Sequence, residues 1–177
     1  MNFLRQVVDL MLFRCGPQDL PGDQRTLIIS AAAYCILLIT QIALLVGFMA
    51  GVIVQAVLVT LLLGLYVGIL LRWRGLSNRF HQTATGLYAT GAVLTALMLV
   101  PTAKMRPFVE ALSHSTDPAN VPMPSLSFAL IYLVVGIWAL AIYSHIYRHA
   151  LGVSILLGVL TAIGYEAFLM LVFTVIG

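Results

Sequence analysis

Five long apolar stretches limit the folds that this chain can adopt. Residues 27–48 contain no charged side chain, and further apolar runs follow at residues 52–71, 83–100, 126–147 and 151–176. A helix rises about 1.5 Å per residue, so a run of about 20 residues is enough to cross the hydrocarbon core of a bilayer. The sequence therefore predicts an all-α integral membrane protein with five transmembrane helices.

The composition excludes a soluble fold. Hydrophobic residues make up 62% of the chain and charged residues 8%, whereas a soluble domain carries roughly 25% charged residues. So few polar groups cannot cover a water-exposed surface. The net charge of +3 comes from basic residues beside the apolar runs. No basic run with interleaved aromatic residues is present, so we expect no nucleic-acid partner.

The chain divides into three segments. Residues 1–15 predict a short amphipathic helix, residues 16–26 form a linker with glycine and proline, and residues 27–177 form the five-helix transmembrane domain. We interpret the first segment as an interfacial helix that lies in the membrane plane. The alternative is that its apolar face packs on the bundle. Its polar residues recur at helical spacing and form one stripe: Asn2, Arg5, Gln6 and Asp9.

The connection at residues 101–124 is the longest polar one. It contains five prolines, which lack a backbone N–H and disfavour the interior of a helix. We therefore expect the third span to end near Val100. Beyond it we expect no long regular helix, and at most a short turn at residues 106–112.

Lysine and arginine are distributed unequally between the two sides of the membrane. Two of them, Lys104 and Arg106, lie on one side. Because basic residues favour the cytoplasmic side, the N-terminus is expected in the cytoplasm and the C-terminus outside. The other seven all lie on the cytoplasmic side by this count: Arg5, Arg14, Arg25, Arg72, Arg74, Arg79 and Arg148.

Glu166 is the only carboxylate inside a predicted span. A charge at the bilayer centre costs at least about 2.5–3.5 kcal/mol, so this side chain must be protonated, paired or in contact with water. It continues a stripe of small residues at four-residue spacing, Ser154, Gly158 and Ala162, and is therefore expected to face the bundle or a second copy. Glu166 either binds a proton or ion, or serves helix packing as a neutral hydrogen-bonding acid. We favour the second interpretation.

Two further sets of residues within the spans are expected to hold helices together. Gln41 and Gln55 are amides that need partners inside the membrane, and we expect a hydrogen bond across the hairpin formed by spans one and two. Gly64 and Gly68 lie four residues apart and predict a small-residue contact face on span two.

No catalytic or metal-binding pattern is present in the sequence. His145 and His149 are one helical turn apart, but only His81, from another loop, offers a third ligand, so we expect no metal. There is no glycine-rich phosphate loop and no Ser/His/Asp grouping, so we expect neither a cofactor nor enzymatic activity. Three aromatic residues fit the belt found at headgroup level: Trp73, Tyr143 and Tyr147.

Two segments carry a resemblance to a known family. Gly75-Leu-Ser-Asn-Arg-Phe-His-Gln-Thr enters span three, and Gly136-Ile-Trp-Ala-Leu-Ala-Ile-Tyr-Ser-His, followed by Ala150-Leu-Gly, leads from span four to span five. With five spans and a cytoplasmic N-terminus, residues 25–177 resemble the Yip domain family of membrane proteins, named for interaction with Ypt/Rab GTPases. The compact form is similar to the bacterial members. The resemblance implies the five-span fold and a location in a bacterial inner membrane.

The sequence favours a non-enzymatic membrane scaffold, assembly or accessory protein. Its cytoplasmic face, with Arg72, Arg74 and Arg79, is expected to bind a partner or anionic lipids of the cytoplasmic leaflet. A membrane-protein partner or a homo-oligomer would fit the small-residue faces. The alternative is a small transporter or an ion- or proton-linked channel that uses Glu166.

Overall fold

The computed structural model describes residues 2–115 and 124–176, and within these ranges the only regular secondary structure is helical. Short 3-10 turns at Pro17–Asp19 and Ser77–Arg79 separate some of the helices. Five of the α-helices are long and apolar enough to cross a membrane, so the predicted all-α fold with a short helix before five spans is confirmed. The helices are α1 (Phe3–Met11), α2 (Gln24–Val46), α3 (Ala50–Trp73), α4 (Phe80–His114), α5 (Leu126–Leu151) and α6 (Ile155–Ile176).

Local signals set the ends of the spanning helices. Asp23 caps α2, because its carboxylate accepts the backbone N–H of Thr26 at 2.9 Å and so satisfies a free donor of the first turn. This bond, together with one that the Thr26 hydroxyl donates to the same carboxylate at 2.7 Å, lowers the pKa of the Asp23 carboxyl. Gly152 ends α5 with φ of 64°, a left-handed conformation that glycine adopts readily. α5 therefore runs to Leu151 and α6 begins at Ile155, whereas the sequence predicted a break at residues 148–150.

Helix α4 is longer than the sequence predicted. It continues through Pro101 and Pro107, so the expectation of a largely non-helical connection from residue 101 was wrong. Interior prolines are tolerated in membrane helices, where neighbouring groups satisfy the freed backbone carbonyls. Arg106 and Glu110 support the added turns, because their side chains form an ion pair of 2.7 Å at i,i+4 spacing. Residues 116–123 of the predicted connection lie outside the described residues.

Helix α4 forms the centre of the bundle. It contacts α1, α2, α3 and α5, and every residue from 83 to 92 is buried. Small side chains make this possible, because they let several helices approach one segment closely. At Gly91, an added Cβ would lie 2.9 Å from both the Tyr34 ring and the Tyr143 hydroxyl. α6 lies to one side, where it packs on α5 and, less extensively, on α3.

Helix α1 packs on the bundle with one apolar face and leaves another exposed. An added Cβ at Gly86 of α4 would lie 3.3 Å from Leu10, and the Trp138 indole of α5 donates to the Met11 carbonyl at 3.2 Å. Packing on the bundle therefore accounts for one face, and interfacial contact stays a prediction for the other. The buried residues are Val7, Leu10 and Met11, and the exposed apolar ones are Leu4, Val8 and Leu12.

Candidate functional site

Glu166 lies near the middle of α6, about 15 Å from either end at about 1.5 Å per residue. Its side chain is exposed at the surface of the bundle and lines a groove of about 400 Å³ between α5 and α6. It makes no hydrogen bond or ion pair with residues 2–115 or 124–176. Glu166 thus lies at the edge of the α5–α6 contact and faces outward.

Small residues shape this α5–α6 groove. Gly136 and Ala139 line it from α5, and Ala162 lines it from α6. Gly136 has no atom within 4 Å of where a Cβ would lie, so the groove is open there. A transmembrane helix can approach closely along such a surface. The groove therefore has an apolar surface and a single carboxyl group.

The two helices pack tightly at Gly158. A Cβ added there would lie 2.5 Å from the Ser144 carbonyl oxygen of α5, and no side chain can occupy that space without moving the helices. Ala162, one turn further, is also buried, whereas Ser154 and Glu166 are exposed. Gly158 and Ala162, in the middle of the predicted stripe of small residues, thus lie in the contact between the helices. Ser154 and Glu166, at its two ends, lie outside that contact.

An aromatic cluster inside the bundle was missed by the sequence reasoning. The ring of Tyr66 lies 6.3 Å from that of Tyr147, 5.5 Å from that of Tyr165 and 5.7 Å from that of Phe168. The Tyr66 hydroxyl donates to the Thr161 carbonyl at 2.8 Å. Because Tyr147 is 1% exposed, its assignment to an aromatic belt at the headgroups was wrong. Each of the five spans contains a tyrosine, and this pattern could have indicated the aromatic cluster.

The two intramembrane amides have different surroundings. The Gln41 side chain donates to the Thr102 hydroxyl at 3.1 Å, and that hydroxyl lies 3.1 Å from the Tyr132 hydroxyl. Gln41 therefore joins α2 to α4 and α5, and the predicted bond across the first hairpin is not formed. Gln55 is exposed on α3 and has no hydrogen-bond partner in the part of the chain that the structure describes. No hydrogen bond connects either amide to Glu166.

The predicted small-residue face of α3 lies against α4. A Cβ at Gly64 would lie 2.7 Å from the Tyr88 hydroxyl, and one at Gly68 would lie 3.6 Å from the Phe80 ring. The Tyr88 hydroxyl reaches this point because it donates to the Thr60 carbonyl at 2.7 Å. Gly64 thus makes room for an interhelical hydrogen bond.

The three arginines predicted to form one basic face differ in their bonding partners. The side chains of Arg72 and Arg74 are exposed and have no partner among the described residues. Arg79 instead donates to the carbonyl oxygens of His149 at 3.2 Å and Ala150 at 3.0 Å. Cationic side chains stabilise the free carbonyls at a helix C-terminus. Arg79 therefore has a structural contact, and only two of the three are free to bind a ligand.

Two histidines of α5, His145 and His149, lie with Cys15 where the linker meets that helix. The rings of His145 and His149 are 4.4 Å apart, and His145 Nε2 lies 2.9 Å from the Cys15 carbonyl oxygen. Burial and the carboxylates of Asp19 and Asp9 raise the pKa of the Cys15 thiol, which makes it a poorer nucleophile at neutral pH. No three His, Cys, Asp or Glu side chains within the described ranges are placed to hold a metal ion.

Comparisons with known proteins returned no match to a family model, a curated protein or a solved structure. The resemblance to the Yip domain family therefore stays a prediction. The position of Glu166 and the groove around it are the observations from which a function is inferred.

Proposed function

We propose that this protein is a non-enzymatic membrane scaffold or accessory protein that holds a transmembrane helix of a partner in the α5–α6 groove. The proposal depends on one observation, a lone carboxyl at mid-span in a groove that opens outward. In contact with lipid tails, a charged acid at this depth costs about 2.5–3.5 kcal/mol or more. A partner helix that covers Glu166 with a hydrogen-bond donor removes much of that cost.

The chemistry of the groove defines the kind of helix that would fit. Gly136, Ala139 and Ala162 allow the partner's backbone to approach closely. The carboxyl group of Glu166 accepts hydrogen bonds from amides and pairs with cations. The partner is therefore expected to present an asparagine, glutamine, lysine or arginine near the middle of its own span.

We propose a bacterial inner membrane as the location, with the N-terminus in the cytoplasm and the C-terminus outside. The orientation is supported by the placement of seven of the nine lysine and arginine residues on one side. The compartment is supported by the resemblance to compact bacterial members of the Yip domain family.

The alternative function, a small transporter or an ion- or proton-linked channel, has less support. Such a protein needs polar groups that converge on Glu166, yet Gln41 is bonded to Thr102 on α4 and Gln55 is exposed on α3. Purified protein in proteoliposomes distinguishes the two functions. Ion or proton flux that Glu166→Gln abolishes would favour the transporter over the scaffold.

Quantitative affinity purification from native membranes tests the scaffold. Gly136→Leu places a side chain in the groove, and Gly51→Leu is its matched control, because each glycine lies on a helix with open space around an added Cβ. Glu166→Leu removes the carboxyl group. We expect Gly136→Leu and Glu166→Leu to lose the same membrane protein, while Gly51→Leu retains it.

Three results would contradict this proposal. The first is an equal recovery of partners with all three variants. The second is the absence of any membrane protein above background in the parent. The third is that the groove variants lose only self-association, which would mean that the groove binds a second copy of this chain and not a partner protein.

A further inference from the structure

A second groove lies on a different face of the molecule, along the last three turns of α3. It has a volume of about 410 Å³, within the range of about 300–1,000 Å³ typical of ligand pockets. Because Gly64 and Gly68 have no side chains, the groove cuts into the helix surface. Its lining residues are Gly64, Leu65, Gly68, Ile69, Arg72 and Phe80.

An unpaired cation lies at one end of this α3 groove. The Arg72 side chain is exposed and makes no hydrogen bond or ion pair within the described part of the chain. It belongs to the last turn of the spanning helix α3, and the next residue, Trp73, is 83% exposed. Tryptophan is enriched at the level of lipid headgroups, so Arg72 lies where an apolar surface meets water.

The remainder of the α3 groove is apolar and extends into the membrane. Gly64 is eight residues from Arg72, which corresponds to about 12 Å along the helix axis. The side chains of Leu65 and Ile69 are exposed and form the apolar edges of the α3 groove. A ligand that fits must therefore carry an anionic group at one end and an apolar chain at the other.

We propose that the α3 groove binds an anionic phospholipid. The lipid phosphate pairs with the Arg72 guanidinium, a group whose fork of donors matches phosphate oxygens. One acyl chain lies over Gly68 and Gly64 in van der Waals contact with Phe80. This inference does not depend on the proposed function, because Glu166 and the α5–α6 groove take no part in it.

The α3 groove suits a lipid better than a soluble anion or a partner helix. A soluble anion would leave the apolar floor uncovered. A helix is about 10–12 Å across with its side chains, and the glycine face is already partly occupied by Tyr88 and Phe80 of α4. Neither of these ligands accounts for both the unpaired arginine and the hydrocarbon surface next to it.

Native mass spectrometry of the purified protein in detergent tests the proposal. The probes are phosphatidylglycerol and phosphatidylcholine with the same acyl chains. Arg72→Gln and Arg74→Gln remove the same charge from neighbouring exposed positions, but only Arg72 lines the groove. One interfacial arginine contributes about 1 kcal/mol, so we expect Arg72→Gln to weaken phosphatidylglycerol binding about fivefold and Arg74→Gln to have little effect.

Gly68→Leu tests the apolar part of the site. An added Cβ meets only Phe80, at an ordinary 3.6 Å, and leucine favours a helix more than glycine does. The variant is therefore expected to fold with unchanged or higher thermal stability. Because its side chain occupies the place of the acyl chain, we expect it to weaken the binding of both lipids.

Four results would overturn the proposal. An equal loss of phosphatidylglycerol binding in Arg72→Gln and Arg74→Gln would mean that the lipid is attracted by positive charge in general and not by the α3 groove. Unchanged binding in Gly68→Leu would place the lipid elsewhere. Competition by glycerol phosphate as effective as by whole phosphatidylglycerol would indicate a soluble anion. Loss of self-association in Gly68→Leu with lipid binding retained would indicate a helix contact.

Discussion

Arg79 connects two distant parts of the chain through one side chain. It lies just before α4, and its guanidinium donates to the last two carbonyls before the end of α5, those of His149 and Ala150. These carbonyls have no partner within their own helix, as is general for the last turn. A cation at this place also opposes the negative end of the helix dipole. The sequence marked Arg79 as basic and exposed, but its bonding partners become visible only in the fold.

Arg79→Gln is expected to lower the thermal stability of the protein in detergent. Of the two lost bonds, the one to His149 is exposed and the one to Ala150 is partly buried, so the decrease in the free energy of unfolding should be about 1 kcal/mol. Arg74→Gln removes the same charge from a side chain without a partner and should leave stability unchanged. Thermal unfolding followed by circular dichroism measures both. Equal melting temperatures for the two variants would show that the Arg79 contact does not contribute.

The five spanning helices could be predicted from the sequence because each is a separate apolar run. Their contacts could not be predicted equally well. Residues 83–92 of α4 form the most buried segment, yet their three threonines and two glycines make the segment only moderately apolar in sequence. Small size, rather than hydrophobicity, is what places it at the centre. The continuation of α4 past Pro101 also depends on the whole bundle, which local proline rules do not include.

For the candidate site, the sequence identified Glu166 and left open whether it faces the bundle or a second copy, whereas in the structure it lies at the edge of the α5–α6 contact and faces outward. Residues four apart on a helix are rotated by about 40°, because each turn contains about 3.6 residues. Gly158 and Ala162 differ by one such step, and both remain in contact with α5. A second step brings Glu166 to the edge of the contact and into the α5–α6 groove. A four-residue stripe alone does not reveal where the contact ends.

Gly158→Ala tests the close contact between α5 and α6 at Gly158. Its Cβ would lie 2.5 Å from the Ser144 carbonyl oxygen, so the helices must separate, at a cost of about 1–3 kcal/mol. Gly51→Ala is the matched control, since nothing lies within 4 Å of its added Cβ. We expect a lower melting temperature for Gly158→Ala only. A melting temperature at or above that of the parent would show that the two helices are not in close contact at this point.

The helices pack around α4, and the surface for which we propose a function lies at the periphery. α1, α2, α3 and α5 surround the central helix, while α6 is held mainly by α5. This arrangement leaves the α5–α6 groove open to the surrounding membrane rather than enclosed within the bundle. A polar group in such a position is accessible to another membrane-embedded chain, which is the basis of the proposed scaffold.

Site-specific photo-crosslinking in living cells tests whether a partner helix occupies the α5–α6 groove. A crosslinking residue at Ile163 reports on the groove, and one at Leu61, exposed at mid-span on α3, reports on an ordinary lipid-facing surface. We predict that Ile163 captures one membrane protein, through a span that carries an asparagine, glutamine, lysine or arginine, and that Glu166→Leu abolishes this product. The same product from Leu61, or its persistence in Glu166→Leu, would show that the α5–α6 groove does not hold a partner helix through Glu166.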